Sequence, residues 1–187
     1  MPNLALELRA VRRSMREGCL VSAFESAQRL AVRHPNHARV LNLFGVASIK
    51  LKKTENARQS FERALSIEPE FADARINLGF CLFEQGAWEE AKDHFDSVVS
   101  DHPGNARAAV GLARTLHRLR QTNDGLDVLK KSASKNSENA NVRAWLGRFF
   151  DSCGDYSSAE HHLRRALALA PGDNRAKVWL ATVLISV

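Results

Sequence analysis

Cysteine is scarce in this sequence: Cys19, Cys81 and Cys153 stand far apart in 187 residues. An odd number at such spacing excludes a disulfide framework and points to a reducing compartment. No stretch reaches the roughly 18 apolar residues of a membrane span. The N-terminal MPNLALELRAVRRSMREG also lacks an apolar core of signal-peptide length. The expectation is a cytoplasmic protein with no membrane attachment. Helix breakers are few, with five prolines and ten glycines, and the long apolar-periodic stretches around them call for helix almost throughout.

Catalytic and metal-binding patterns are missing as well. No H-E-x-x-H occurs; His34 and His37 straddle Pro35, and His161 and His162 point in different directions on a helix. No Gly-rich phosphate loop follows a strand, and the adjacent Glu89 and Glu90 read as solvated helix surface. The reading is of a chain with no enzyme activity, no cofactor and no metal.

What is present is a beat. Pro35, Pro69 and Pro103 are 34 residues apart, Pro171 falls two periods beyond Pro103, and Ser137 occupies the skipped place. Gly45, Gly79 and Gly147 share one register with Ala113 and Ala181, while Ala23, Ala57, Ala91 and Ala159 share another with Gly125. Phe61, Phe95, Leu129 and Leu163 share a third. Within a period, apolar residues recur three and four apart over 38–51 and again over 55–67, the pattern of two amphipathic helices. Thr54 is positioned to cap the second helix, and Asp155 or Tyr156 begins its later counterpart. Gly45 against Ala57 or Ala64 lets the helices cross closely, and Phe61 and its counterparts fill the gap to the next hairpin. A closing proline stops the second helix. So small a hairpin cannot bury its own apolar face, so neighbours must stack.

Leu78, Gly79, Gly86, Trp88, Ala91, Phe95 and Pro103, and again Leu146, Gly147, Gly154, Tyr156, Ala159, Leu163, Ala166 and Pro171, resemble the tetratricopeptide repeat pattern. The resemblance implies an all-α, right-handed superhelical solenoid of antiparallel hairpins forming one array over 1–187. Its repeats run at about 4–37, 38–71, 72–105, 106–139 and 140–173, with an orphan first helix over 174–187. The sequence departs from the pattern at several places. The large residue near each repeat's start is replaced by Glu7, Arg75, Arg143 and Lys177, and the first repeat has Val11 and Ala27 at packing positions. The fourth carries Ala113, Gly125, Ser132 and Ser137, so the stack is expected to loosen between 122 and 139.

The resemblance also implies a groove lined by the first helix of each hairpin. Arg39, Asn42, Asn77, Phe80, Arg107, Arg114, Asn141, Trp145 and Arg148 would be its partner-binding residues. Ten basic residues (Arg9, Arg12, Arg16, Arg39, Lys50, Arg107, Arg114, Arg118, Arg148 and Arg175) fall on that face against Asp73, Glu84 and Asp151. That excess exceeds the formal +6 of the whole chain. A basic groove draws in an acidic protein or peptide segment. The carboxylate clamp of some family members is not expected, because only Asn77 and the charge of Arg107 survive at its positions. Nucleic acid is a weaker reading, since single-strand binding wants aromatics interleaved with the cations. The apolar 174–187 leaves three alternatives open: further repeats beyond it, a homodimer contact, or a terminal strap. An accessory role in a larger, transferase-type protein is compatible with both the groove-scaffold and the self-association readings.

Overall fold

The computed structural model describes residues 3–186. Eleven α-helices follow one another among them: α1 (Leu4–Arg16), α2 (Leu20–Arg33), α3 (Ala38–Lys50), α4 (Thr54–Ile67), α5 (Ala72–Gln85), α6 (Trp88–Asp101), α7 (Ala106–Arg118), α8 (Thr122–Lys135), α9 (Ala140–Ser152), α10 (Tyr156–Leu169) and α11 (Asn174–Ser186). They form two compact bodies, Met1–Ala87 and Trp88–Val187. In the first, α1 packs on α2, α2 on α3, α3 on α4 and α4 on α5, and the alternate helices α1, α3 and α5 also touch in series. In the second, α6 through α11 pack in the same sequential way, with α7, α9 and α11 touching in series. Each body is a stack of antiparallel helix pairs.

The 34-residue beat is a beat of backbone geometry. Within two residues of the end of the first helix of each hairpin the backbone takes a positive φ: Gly18 (82°), Lys52 (59°), Gly86 (84°), Arg120 (65°) and Gly154 (79°). Beside it, the next amide reaches back to a carbonyl in the last turn: Cys19 to Ser14, Lys53 to Ser48, Ala87 to Leu82, Gln121 to Leu116 and Asp155 to Phe150, at 2.8–3.0 Å. This is the Schellman closure of a helix C-terminus, which satisfies a carbonyl the helix leaves without a partner. A second register supplies caps to first helices. The side chains of Asn3, Asn105 and Asn139 accept from helix-opening amides, and Asp173 accepts from those of Arg175 and Ala176. His37 and Phe71 hold the same place at α3 and α5 without a side-chain cap. Asp155 begins α10 as anticipated, accepting from the Ser158 amide at 3.0 Å. Thr54 does not cap α4: it is the first helical residue, and Lys53 is the cap, with no side-chain bond.

Small residues sit where rings press on backbone. A Cβ added to Gly45 would lie 2.4 Å from the Phe61 ring, so Phe61 presses most closely on that crossing. Phe95 makes the same approach to Gly111, on the first helix of the following hairpin. Phe61, Phe95, Leu129 and Leu163 are all but fully buried, each contributing about 1.5–3 kcal/mol of hydrophobic stabilisation.

The fourth repeat keeps a regular backbone. Its α8 is continuous over Thr122–Lys135, buries Gly125, Leu126, Leu129, Ser132 and Ala133, and ends as the other second helices do although Ser137 replaces proline. Gly125 is required there: an added Cβ would stand 2.7 Å from the Phe149 ring and 2.9 Å from the Ala113 carbonyl. In the fifth hairpin the glycine is on the other partner, Gly147, whose added Cβ would lie 3.0 Å from the Ala159 carbonyl. Glycine and alanine have exchanged helices in the fourth hairpin.

Candidate functional site

In the N-terminal body, α3 and α5 bring two candidates together. Asn77 donates through Nδ2 to Asn42 Oδ1 at 2.7 Å, and both residues are buried. The pair ties the first helices of successive hairpins together, and Asn42 thereby uses the acceptor that a peptide backbone would have needed. Arg39 is exposed at the start of α3, and Phe80 is half-buried on α5. Phe83, another aromatic of α5, is core.

Along α1, Arg9, Arg12, Arg13 and Arg16 stand at the i, i+3, i+4, i+7 spacing of one helix face. They line a cleft of about 990 Å³ with Leu6, Ala10 and Met15 of the same helix and Val46 and Lys50 of α3. Val11 faces the other way, 2% exposed in the core. Glu7 is turned from the cleft and pairs with Arg33 of α2 at 2.6 Å. That contact explains one departure from the repeat pattern, and the arginines at the equivalent places explain two more. Arg75 donates to the Pro69 carbonyl and Arg143 to the Ser137 carbonyl, each strapping the preceding loop to its helix.

In the C-terminal body, α7, α9 and α11 gather Arg114, Asn141, Trp145 and Arg148. The Arg114 guanidinium lies 5.2 Å from the Trp145 ring. Trp145 meets Trp179 edge-on with centroids 4.9 Å apart, and the Arg175 guanidinium lies 5.9 Å from Trp179. Arg175 also donates to Asn141 Oδ1 at 3.1 Å. Two adjoining rings are therefore flanked by a cation on either side across three helices, an arrangement favourable to cation–π attraction. Arg148 pairs with Asp151 one turn on, and Arg107 is exposed on α7. His117, stacked at a tilt 5.4 Å from Phe149, has its pKa lowered by burial and by the neighbouring Arg148, Arg118 and Arg120.

The remaining titratable groups read as structure. His162 lies flat on Phe150 with centroids 5.3 Å apart; burial, with Arg143 and His161 beside it, pushes its pKa down to about 4. Burial pushes the Cys81 thiol up to about 11, far from a reactive thiolate, while Cys19 and Cys153 are free and exposed. Among the described residues no three His, Cys, Asp or Glu side chains come together as a metal site. Nor is any helix there long and apolar enough to cross a membrane.

Comparison with known proteins places these features in a family. Tetratricopeptide repeat models match residues 48–101, 82–148 and 153–186. The peroxisomal targeting signal receptor of Saccharomyces cerevisiae is 33% identical over 91 residues, which is 49% of this chain and 14% of the receptor. The chain thus spans a small part of that relative. A thermophilic tetratricopeptide repeat protein of Thermus thermophilus superposes with a TM-score of 0.83 at 18% identity, over 97% of this chain and 98% of that one. YrrB, described as having an unusual peptide-binding site, superposes with a TM-score of 0.65 at 15% identity, over 92% and 89%. With repeat models covering most of its length, the chain belongs to the tetratricopeptide repeat family.

Proposed function

We propose that this chain is a protein- or peptide-binding scaffold whose first-helix surfaces receive an acidic segment. The supporting observation is the row of Arg114, Trp145, Trp179 and Arg175 across α7, α9 and α11. Tryptophan and arginine together are the side chains that most often carry binding energy at protein interfaces. In the C-terminal body Arg107, Asn141 and Arg148 complete this surface; the N-terminal body offers Arg39 and Phe80 on its own first helices, above the buried Asn42–Asn77 pair. The resemblance to YrrB, whose described peptide-binding site belongs to that protein, supports the same reading. Titration with an acidic peptide should show affinity that falls as salt rises. Unchanged affinity when Arg107, Arg114 and Arg148 are all made Glu would exclude this surface.

A second reading has its own observation. On α11, Val178 is 63% exposed and Ile185 86%, an apolar surface suited to a second copy of the chain. Light scattering over a concentration series should then show a dimer that Val178→Asp and Ile185→Asp abolish. A strictly monomeric chain at every concentration would exclude it.

A further inference from the structure

The cleft between α1 and α3 is not needed for the row on α7, α9 and α11, and its composition is distinct. Arg9, Arg12, Arg13 and Arg16 place two like-charge pairs at i, i+4 on one face, Arg9 with Arg13 and Arg12 with Arg16. Such pairs destabilise a helix by about 0.2–0.5 kcal/mol each. The fold does little to relieve them. Glu17 meets Arg13 at 3.8 Å, whereas among the described residues no carboxylate pairs with Arg9, Arg12, Arg16 or Lys50. The nearby acid that was available, Glu7, is committed to Arg33. Among the described residues no acidic side chain lines the cleft, and its five cationic residues are all exposed.

The rest of the lining is apolar and non-aromatic: Leu6, Ala10, Met15 and Val46. That wall discriminates between anionic macromolecules. A single-stranded nucleic acid would want rings on which to stack its bases, and none lines this cleft. Aliphatic side chains and an adaptable thioether instead suit an aliphatic residue set among carboxylates. We infer that the α1–α3 cleft is a docking site for an acidic peptide segment that carries an aliphatic side chain, its carboxylates on Arg9, Arg12, Arg16 and Lys50 and its aliphatic group against Met15 and Val46. This rests on the scaffold reading in general, and on none of the residues of the C-terminal body.

The test uses the whole chain and a short fluorescein-labelled peptide of glutamates around a central leucine, followed by anisotropy at low and physiological salt. Polyglutamate of equal length, a single-stranded oligonucleotide of equal charge and phosphatidylserine vesicles serve as competitors. The leucine-bearing peptide should bind best, and Arg12→Glu with Arg16→Glu should weaken it by roughly tenfold or more, the scale of one lost charge-assisted contact. Both positions are exposed, so unchanged thermal melting will show that the fold survives. Equal binding of polyglutamate, or preferential binding of the oligonucleotide or vesicles, overturns the assignment. If reversal of Arg107, Arg114 and Arg148 abolishes binding while the α1 variant keeps it, the cleft assignment fails and the scaffold reading stands. If no acidic peptide binds the unaltered chain, both fail.

Discussion

Lys52 and Arg120 occupy the left-handed position that glycine holds in the other hairpin turns. A side chain there costs about 1–2 kcal/mol in backbone strain, partly offset because glycine loses more freedom on folding. Lys52→Gly and Arg120→Gly should each raise the unfolding free energy by about 0.5–1 kcal/mol, seen as a later urea midpoint at unchanged slope. An earlier midpoint would mean that these side chains make contacts worth more than the strain. His37 is a second local exception. It caps α3 without a side-chain bond, and its Nδ1 is buried without a partner. His37→Asn puts there the residue that caps α1, α7 and α9, and thermal unfolding should report a gain of about 1 kcal/mol. The asparagine register was legible in the sequence as Asn3, Asn105 and Asn139, 34 or multiples of 34 apart, but caps are short polar residues that also fill ordinary loops. Only the amide each one accepts gives it meaning.

At the scale of the helix, α8 and α9 are matched by volume. Phe149 stands in a register that elsewhere holds Arg13, Ala47, Cys81, Thr115 and Val183, and Gly125 stands where other second helices carry alanine. Read one repeat at a time, Gly125 is a weak helix former. Read across the junction, it is the space into which the Phe149 ring fits. Gly125→Ala should therefore destabilise by about 1–3 kcal/mol, despite alanine's better helix propensity, because the added methyl overpacks the site. In a double-mutant cycle with Phe149→Thr, the alanine should cost clearly less when the ring is gone. Strictly additive urea-unfolding energies would refute the coupling. Helix boundaries, by contrast, were written plainly in the sequence. Apolar spacing and the closing prolines mark them, and both follow from backbone chemistry without reference to neighbours.

For the whole molecule, stability should depend on pH through the partly shielded His162 and His117. The folded chain holds His162 with its pKa pushed down to about 4, whereas the unfolded chain lets it protonate near 6.5. Below 6.5 the unfolded state binds the extra proton, so stability is complete above that pH and is lost as pH falls toward 4. His117 adds in the same direction. Urea midpoints should stay level above neutrality and drop on acidification, and His162→Phe should flatten part of the drop. A midpoint independent of pH across that window would show that the ring is not shielded in solution. The partner surface was less legible than the fold. The resemblance put Asn42 and Asn77 on one face, but it does not foretell that they bond to each other. It also put Arg9, Arg12 and Arg16 on the binding side, yet only the contact of Glu7 with Arg33 shows how few counter-charges remain for them. Side-chain pairing across helices is a three-dimensional property, and a one-dimensional repeat does not carry it.

The fit of Phe149 over Gly125 bears on how such a chain can be rearranged. Tandem repeats invite duplication, deletion and shuffling, which treat each hairpin as a spare part. Here the fourth and fifth hairpins are matched to each other in shape. A crossover that set residues 140–173 behind any other hairpin would drive a phenyl ring into an alanine methyl, and deletion of the fifth alone would leave an unfilled notch beside Gly125. Recombination can copy the pair or leave it untouched, but it cannot separate the two without a repair at the junction.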